Sequence, residues 1–246
     1  MTLQRKPRPI RPAAKPAKPP PGARQNSGAP AAAGHIGAQA RWRRRKDARP
    51  QEILDAALAV FADKGYAAAR MDDIAARARV SKGTIYLYFP SKEAVFKALV
   101  QEMLAPELAR FAGLASAHRG KIAPLLAEIL RSLGRFLASS DRVMLPKMVI
   151  AEAGNFPDLA RIYREEIIAR GLALFGGLIQ AGIASGEFQP IPAEHGARLC
   201  VAPLFLAAIW RTTFARLDAT PYDYEGLIES HIATLLRGLA KLETAT

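Results

Sequence analysis

A cluster of hydroxyl, ammonium and glycine residues opens a short helical segment about a third of the way along the chain. Ser81 is of the residue type that caps helices, and Lys82, Gly83 and Thr84 would then form the first helical turn. The amide N–H groups of a first turn have no partner inside the helix, and a glycine leaves them open to a phosphate. The lysine adds charge, and the hydroxyl groups suit phosphates or base edges. These residues predict nucleic-acid binding.

The predicted contact set extends beyond this turn to both neighbouring helices. Phosphates would be bound by Arg70, Lys82, Tyr86, Tyr88 and Lys92, because each carries a charge or a hydroxyl group near a helix end or on an exposed face. Base edges or thymine methyl groups would be met by Thr84 and Leu87. The full predicted DNA-binding set is Arg70, Ser81, Lys82, Gly83, Thr84, Tyr86, Leu87, Tyr88 and Lys92.

Two short helices position these residues. The first has an apolar face at helical spacing, formed by Met71, Ile74, Ala75 and Ala78. In the second, Val80 can pack against Ile85 in a hydrophobic staple. This is the layout of a helix-turn-helix, whose second helix enters a DNA major groove. Such helix pairs also occur as plain packing units, so the layout alone leaves that alternative open.

The segments VSKGTIYLYFPSKEAVF, ILDAALAVFADKGY and MDDIA resemble the signature of the TetR family of bacterial transcriptional regulators, over about residues 50–100. Residues 151–166, AEAGNFPDLARIYREE, more weakly resemble a C-terminal domain type of one TetR subgroup. The resemblance implies an all-helical, dimeric, ligand-responsive protein that binds double-stranded DNA. Two positions depart from the family pattern. Arg70 stands where Ser or Thr usually caps a helix, and Arg79 stands where Gly usually forms the turn, at a cost of about 1 kcal/mol if the left-handed conformation is kept.

The net charge of +13 is concentrated in the first 50 residues, which hold 13 Lys and Arg and one acidic residue. Residues 1–40 are rich in Pro, Ala and Gly and are predicted to be disordered. The basic cluster RWRRRKDAR, residues 41–49, is either a solubilising arm or an arm that contacts DNA beside the main interface. The single Cys200, inside an apolar run, fits an inert buried thiol in a reducing compartment.

The 246 residues predict an all-α fold, because only helical periodicity is found. We expect a basic tail at residues 1–46, a helix-turn-helix DNA-binding domain at 47–104, and a larger helical effector-binding and dimerisation domain at 105–246. The first helix is expected to begin at Pro50 and to end at Gly65. No apolar run reaches the length of a membrane span, so no membrane is predicted as a partner, and the protein is expected in the bacterial cytoplasm with the nucleoid.

The last helix carries apolar residues at alternating spacings of four and three, which is typical of a helix-bundle seam. An intrachain bundle would satisfy this pattern, and so would a two-fold dimer. The dimer is preferred because a helix-turn-helix protein spans two half-sites of a palindromic operator. The predicted dimer interface is Phe205, Ile228, Ile232, Leu235 and Leu239.

Catalytic and cofactor motifs are missing from the sequence, and the four His residues lack metal-ligand spacing, so no enzyme, metal or cofactor is predicted. Phe136, Met144, Met148, Phe175 and Trp210, beside a helix that Pro203 should bend, predict an apolar pocket for a small hydrophobic effector. Core packing is the alternative for each of these residues.

These features predict a TetR-type homodimeric repressor that an unknown small hydrophobic effector releases from its operator. One alternative is a DNA-organising dimer that acts at many sites without ligand control. The other is a small-molecule sensor with a vestigial DNA-binding head.

Overall fold

The computed structural model describes the backbone of residues 34–241, with the side chains of 50–139 and 142–241. Helices dominate this part of the chain, and its only extended pairing is an isolated bridge between Phe188 and Ala240. The all-α prediction is confirmed. The helices are α1 (Gly34–Ala68), α2 (Met71–Arg77), α3 (Lys82–Tyr88), α4 (Lys92–Met103), α5 (Ala105–Ala117), α6 (Ile122–Leu137), α7 (Ser140–Glu152), α8 (Pro157–Tyr163), α9 (Ala169–Ala184), α10 (Ala193–Thr213) and α11 (Tyr224–Leu239).

The first helix begins earlier than its sequence predicted. α1 begins at Gly34 rather than at Pro50, so the predicted tail boundary at residue 46 falls inside a helix. The prediction for residues 1–33 lies outside the described residues. At the other end, Gly65 adopts φ 73° and interrupts the helix, as expected of a residue that ends one.

The head, formed by α1 from Pro50 onward together with α2, α3 and α4, packs around fully buried Ile53, Ile74, Ile85 and Phe96. The predicted apolar face of α2 is buried at Met71, Ile74 and Ala75. Short helices of seven residues are unstable alone, so this shared core fixes their positions. Leu104 then separates α4 from α5, two residues before the Pro106 break that the sequence predicted.

The body, formed by α5 to α11, has its own core at Leu126, Ile129, Phe175, Ile179 and Leu204. A π-helical turn (Arg164–Ile168) joins α8 to α9, so the chain is helical from Pro157 to Ala184. By length and composition this is the one helix among the described residues that could cross a membrane. Its side chains Phe175 and Ile179 are buried in the body core.

The predicted dimer interface is wrong for most of its residues. Ile228, Ile232 and Leu239 are at most 5% exposed, because α11 packs against α6 and α10 of the same chain, and Leu235 is partly buried against this core. The docking is close at Gly134 of α6, where the Tyr224 hydroxyl donates to the Gly134 carbonyl at 2.8 Å. The seam is therefore the intrachain bundle that the sequence left as the alternative.

Candidate DNA interface and effector cavity

The α3 helix begins as its sequence predicted. The Ser81 Oγ accepts a hydrogen bond from the Thr84 amide at 3.1 Å and lies 2.8 Å from the Thr84 hydroxyl. Ile85 is fully buried and anchors the helix to the head core. On the outer face, Leu87 is 77% exposed and Tyr86 is 43% exposed, so two large apolar side chains point away from the chain.

The turn before α3 holds an arginine in the left-handed region. Arg79 has φ 55°, the only positive φ of a non-glycine residue in the described part of the chain. The turn is closed by backbone bonds from Val80 N to Ala75 O and from Arg79 N to Ala76 O, at 3.0 and 3.2 Å. The left-handed turn expected at this position is kept despite the missing glycine, and the two backbone bonds form across it.

The start of α2 compensates for its missing hydroxyl cap. The Arg70 amide donates to the Asp73 carboxylate at 3.1 Å, so Asp73 satisfies an N–H group at the helix end from inside the first turn. The Lys64 ammonium lies 2.9 Å from Asp73, and this hydrogen-bonded cation holds the pKa of the Asp73 carboxyl below its usual value. The Arg70 side chain stays exposed.

Lys82 and Gly83 lie exposed in the first turn of α3. The Lys82 ammonium is 3.1 Å from the Asp72 carboxylate, and both side chains are solvent-accessible. A Cβ built at Gly83 would meet only the Ser81 Oγ, at 4.0 Å. The fold therefore does not require glycine here. Tyr88, by contrast, is partly buried and packs its ring against the head core.

Lys92 does not occupy the position that its sequence predicted. Its Nζ donates to the carbonyls of Tyr66, Ala67 and Ala69 at 2.7, 3.4 and 3.0 Å, and it lies 4.2 Å from the centroid of the Tyr66 ring. An ammonium has three donors, and all three are used within the head. The prediction that Lys92 binds a phosphate is corrected: it closes the C-terminal end of α1, where carbonyl groups lack helical partners.

The same region joins the head to the body. The Phe156 ring, in the loop between α7 and α8, packs 5.1 Å from the Tyr66 ring. The Tyr66 hydroxyl donates to Glu93 at 3.2 Å, and burial together with this carboxylate raises the pKa of Tyr66. A second junction lies on α4, where the Lys97 ammonium is 3.2 Å from buried Glu166 in the π-helical turn. α4, the last helix of the head, is thus bonded directly to the body.

A cavity of about 660 Å³ lies in the body, between α5, α6, α7, the α8–α9 helix and α10. Its walls are mainly apolar and include the predicted pocket residues Phe136 and Phe175 together with Phe111, Leu137 and Leu172. This size and lining are typical of a site for a small organic ligand. The Tyr163 ring also lines it, and burial raises the pKa of the Tyr163 hydroxyl.

Three of the predicted pocket residues lie elsewhere. Met148 is buried in the head-side core and Met144 packs against it, so the core-packing alternative is correct for both. Trp210 is 41% exposed on the outside of α10, where its Nε1 donates to Asp218 at 3.0 Å. Phe205, predicted at the dimer interface, lines the cavity instead. The apolar pattern of a helix does not reveal which of its faces lines a cavity. This is why the sequence placed Trp210 in the pocket and Phe205 at the dimer interface.

The comparisons with known proteins agree with this architecture. Residues 53–99 match the family described as "Bacterial regulatory proteins, tetR family", and residues 116–221 match "Tetracyclin repressor-like, C-terminal domain". The transcriptional regulator RutR of Escherichia coli K12 is 30% identical over 182 residues, which are 71% of this chain and 76% of that protein. The chain belongs to the TetR family of bacterial transcriptional regulators. It is a DNA-binding transcriptional regulator, and its relatives are regulators rather than enzymes.

Two fatty-acid regulators are also similar to the chain. The fatty acid metabolism regulator protein of Bacillus subtilis is 27% identical over 196 residues, which are 79% of this chain and 98% of that protein. The solved structure of the fatty acid degradation regulator FadR from Bacillus halodurans is 25% identical, with a TM-score of 0.64 over 78% of this chain and 96% of that one. The FadR structure from Bacillus subtilis, in complex with stearoyl-CoA, shares the fold at 24% identity, with a TM-score of 0.63 over 77% of this chain and 98% of that one.

Proposed function

We propose that this regulator is a homodimeric repressor that lays α3 of each subunit in a major groove of a palindromic operator and is released by a small hydrophobic effector. The observation that carries this proposal is the outer face of α3. Leu87 and Tyr86 are exposed there beside a hydroxyl-capped helix start. An exposed leucine side chain makes no favourable interaction with water, whereas contact with a thymine methyl group in the major groove would bury its apolar surface.

Each residue of the interface has a role that its chemistry supports. Thr84 and Leu87 meet base edges and methyl groups, and Tyr86 and Lys82 bind phosphates on either side. Lys82 leaves Asp72 to do so, which costs little because exposed ion pairs contribute about 0–1 kcal/mol. Arg70 binds a phosphate from the start of α2. Lys92 is not part of this interface, and Tyr88 contributes only its hydroxyl.

The chain's own operator can be found by incubating the purified protein with fragments of its genome and sequencing the DNA that is retained. The proposal predicts palindromic fragments whose half-sites are centred about 34–36 Å apart or a multiple of this distance. Retention without any shared sequence would favour the DNA-organising alternative. Removing residues 1–33, which leaves α1 intact, should lower only the salt-sensitive part of the affinity and keep the sequence preference.

The dimer interface is proposed on the outer faces of α10 and α11. Leu199, Leu206 and Trp210 are 50%, 62% and 41% exposed and lie along one side of α10, with Leu227 of α11 45% exposed. Spacings of seven and four place the three α10 residues on one stripe. An exposed apolar stripe of this length marks an interaction site, and a second copy would cover it symmetrically.

Replacing a central residue of this stripe tests the dimer. Leu206→Glu should convert the dimer to a monomer in sedimentation experiments and weaken operator binding, because each head would then bind one half-site alone. Ile150→Glu is the matched control: it places the same charge on an apolar residue of α7 that is 63% exposed. A Leu206→Glu protein that stays dimeric would refute this interface.

The effector is proposed to occupy the cavity between α5 and α10. Its apolar walls favour a ligand with a hydrocarbon or aromatic body, and the complex of Bacillus subtilis FadR with stearoyl-CoA suggests long-chain acyl compounds as first probes. As a regulator of bacterial transcription, the protein is proposed to act in the cytoplasm at the nucleoid. Calorimetric titration with such probes, followed by operator-release assays, tests this part of the proposal, and a cavity that binds no apolar compound would count against it.

A further inference from the structure

We propose that the cavity takes an anionic amphiphile whose negative group binds Arg142 and Arg164, and that this group draws Arg142 away from the carbonyl of Met103 at the end of α4. This inference deepens the proposed function, since it rests on the cavity being the effector site. It adds the chemical class of the ligand and the residue through which binding reaches the head.

The charges along the cavity wall point to an anion. Four charged residues line it: Glu107, Arg142, Arg164 and Arg198. Two of these are neutralised by neighbours on their own helices, Arg198 by Glu194 at 2.6 Å and Glu107 by Arg110. Among the described side chains, neither Arg142 nor Arg164 lies within ion-pair distance of a carboxylate. The cavity thus presents two positive charges without a counter-charge from that part of the chain.

The surroundings strengthen the effect of these charges. The Arg142 guanidinium lies 4.8 Å from the centroid of the Phe136 ring, and the remaining walls are mainly leucine, isoleucine and phenylalanine. Charges interact more strongly beside apolar walls than in water, and a guanidinium binds carboxylate or phosphate oxygens in a bidentate manner. The Tyr163 hydroxyl on the same wall adds a hydrogen-bond donor. An acyl chain with an anionic end matches this distribution of polar groups.

Arg142 also bonds to the C-terminal end of α4, the last helix of the head. Its Nη1 donates to the carbonyl of Met103, the last residue of α4, where helix carbonyls lack partners and the dipole is negative. A ligand carboxylate or phosphate is a stronger acceptor than a neutral carbonyl and would compete for the same guanidinium. Losing this bond frees the C-terminal end of α4, and a moving α4 changes the spacing of the two heads.

The test compares three probes of equal chain length: hexadecanoate, hexadecanoyl-CoA and hexadecanol. Calorimetry gives the affinity of each probe, and fluorescence anisotropy with a retained genomic fragment gives its ability to release DNA. The expected result is that at least one anion binds about tenfold or more tightly than the alcohol and releases DNA, since charge-assisted hydrogen bonds are the strong ones. Hexadecanoate and hexadecanoyl-CoA distinguish a carboxylate from a phosphate as the recognised group.

Arg142→Gln and Arg164→Gln should each remove most of the preference for the anion, and Arg142→Gln should also weaken DNA binding without ligand because the tie to Met103 is lost. Arg135→Gln is the matched control on α6, where an exposed arginine outside the cavity loses the same charge. Melting curves identify any variant that fails to fold, in which case the other cavity variant decides the result.

The possible failures separate the two claims. If neither anion nor alcohol binds, the effector site of the proposed function is wrong. If anion and alcohol bind equally well, or if Arg142→Gln and Arg164→Gln keep the anion preference, the cavity is an apolar effector site and the arginine inference is overturned. If Arg142→Gln loses the anion preference but still releases DNA as the wild type does, the proposed coupling through Met103 is overturned.

Discussion

Replacing Lys92 with alanine separates the role that the structure assigns to this residue from the one that its sequence suggested. In the structure its ammonium donates to three carbonyls at the end of α1 and lies over the Tyr66 ring. Alanine leaves these carbonyls without their ammonium donor and removes the contact between the ammonium and the Tyr66 ring. We therefore expect a loss of folding stability, with little change in how operator affinity depends on salt.

The magnitude follows from the contacts. Hydrogen bonds from a charged donor contribute roughly 1.5–3 kcal/mol, and a cation over an aromatic ring about 0.5–2 kcal/mol. These contributions do not add fully, because the Ala67 carbonyl can be solvated and the lysine itself is only partly buried. Burial lowers the pKa of Lys92, and this is a cost that alanine avoids. A net loss of about 2–3 kcal/mol is expected, which lowers the melting temperature by roughly 5–10 °C.

Thermal melting followed by circular dichroism measures the stability, and fluorescence anisotropy across a series of salt concentrations measures the slope of affinity against salt. Lys82→Ala is the matched control, with the opposite expectation: an unchanged melting temperature and a salt slope reduced by about one. The reasoning is refuted if Lys92→Ala keeps the wild-type melting temperature while its salt slope falls by about one.

Further substitutions test other contacts of the fold and the interface. Gly83→Ala should leave the folding stability unchanged or raise it by up to about 1 kcal/mol, because the new methyl group has space within the chain. The same methyl group should weaken operator binding, measured by fluorescence anisotropy, because it would stand between the backbone and a phosphate. An unchanged affinity would contradict a close approach of the Gly83 backbone to the DNA. Gly182→Ala should cost about 1–3 kcal/mol in denaturant melts, because its Cβ would lie 2.1 Å from the Phe188 ring, whereas Gly177→Ala on the same helix meets nothing within 4 Å and should be neutral or stabilising; equal effects would contradict this packing. Glu187→Gln should cost roughly 1 kcal/mol at pH 7, as is typical of a lost helix cap, and less as the pH falls below 4.5; a deficit that is independent of pH would contradict an ionised cap.

The pH dependence expected at Glu187 follows from its contacts. Its carboxylate accepts from the amides of Ile122 and Ala123 at 2.8 and 3.1 Å, at the start of α6. Desolvation acts to raise the pKa of Glu187, but these hydrogen bonds outweigh it and hold the pKa below its ordinary value. The stabilisation is therefore present above that ordinary value and is lost as the pH falls through the folded-state pKa.

Local sequence signals predicted the head well. Ser81 as a cap, Ile85 as an anchor and Gly65 as an interruption of α1 are decided by interactions within a few residues, and such interactions are readable from spacing. Lys92 was assigned to the wrong partner because the carbonyls that it binds belong to residues 23–26 positions earlier in the chain. Only the packing of α4 against α1 brings them to its side chain.

In the body, the spacing of apolar residues predicts which helix faces are buried but not what covers them. The spacing of Ile228 and Ile232 indicates that one face of α11 is covered, but an intrachain helix and a second subunit cover it equally well. Trp210 and Phe205 share α10 and face opposite environments, the exterior and the cavity. Arg142 and Arg164 carry no local signal, because residues of α5, α6, α7, the α8–α9 helix and α10 together form the cavity that these two side chains line.

We propose above all that α3 contacts base edges in the major groove, and the sequence preference of an α3 variant tests this most directly. Genomic fragments retained by the wild-type protein and by Leu87→Ala should be sequenced in parallel at the same salt concentration. Leu87 is 77% exposed, so its truncation should leave the fold intact. The account predicts that the wild type enriches a palindrome and that the variant loses discrimination at a base in each half-site. An identical set of fragments for both proteins, with identical preference at every position, would contradict it.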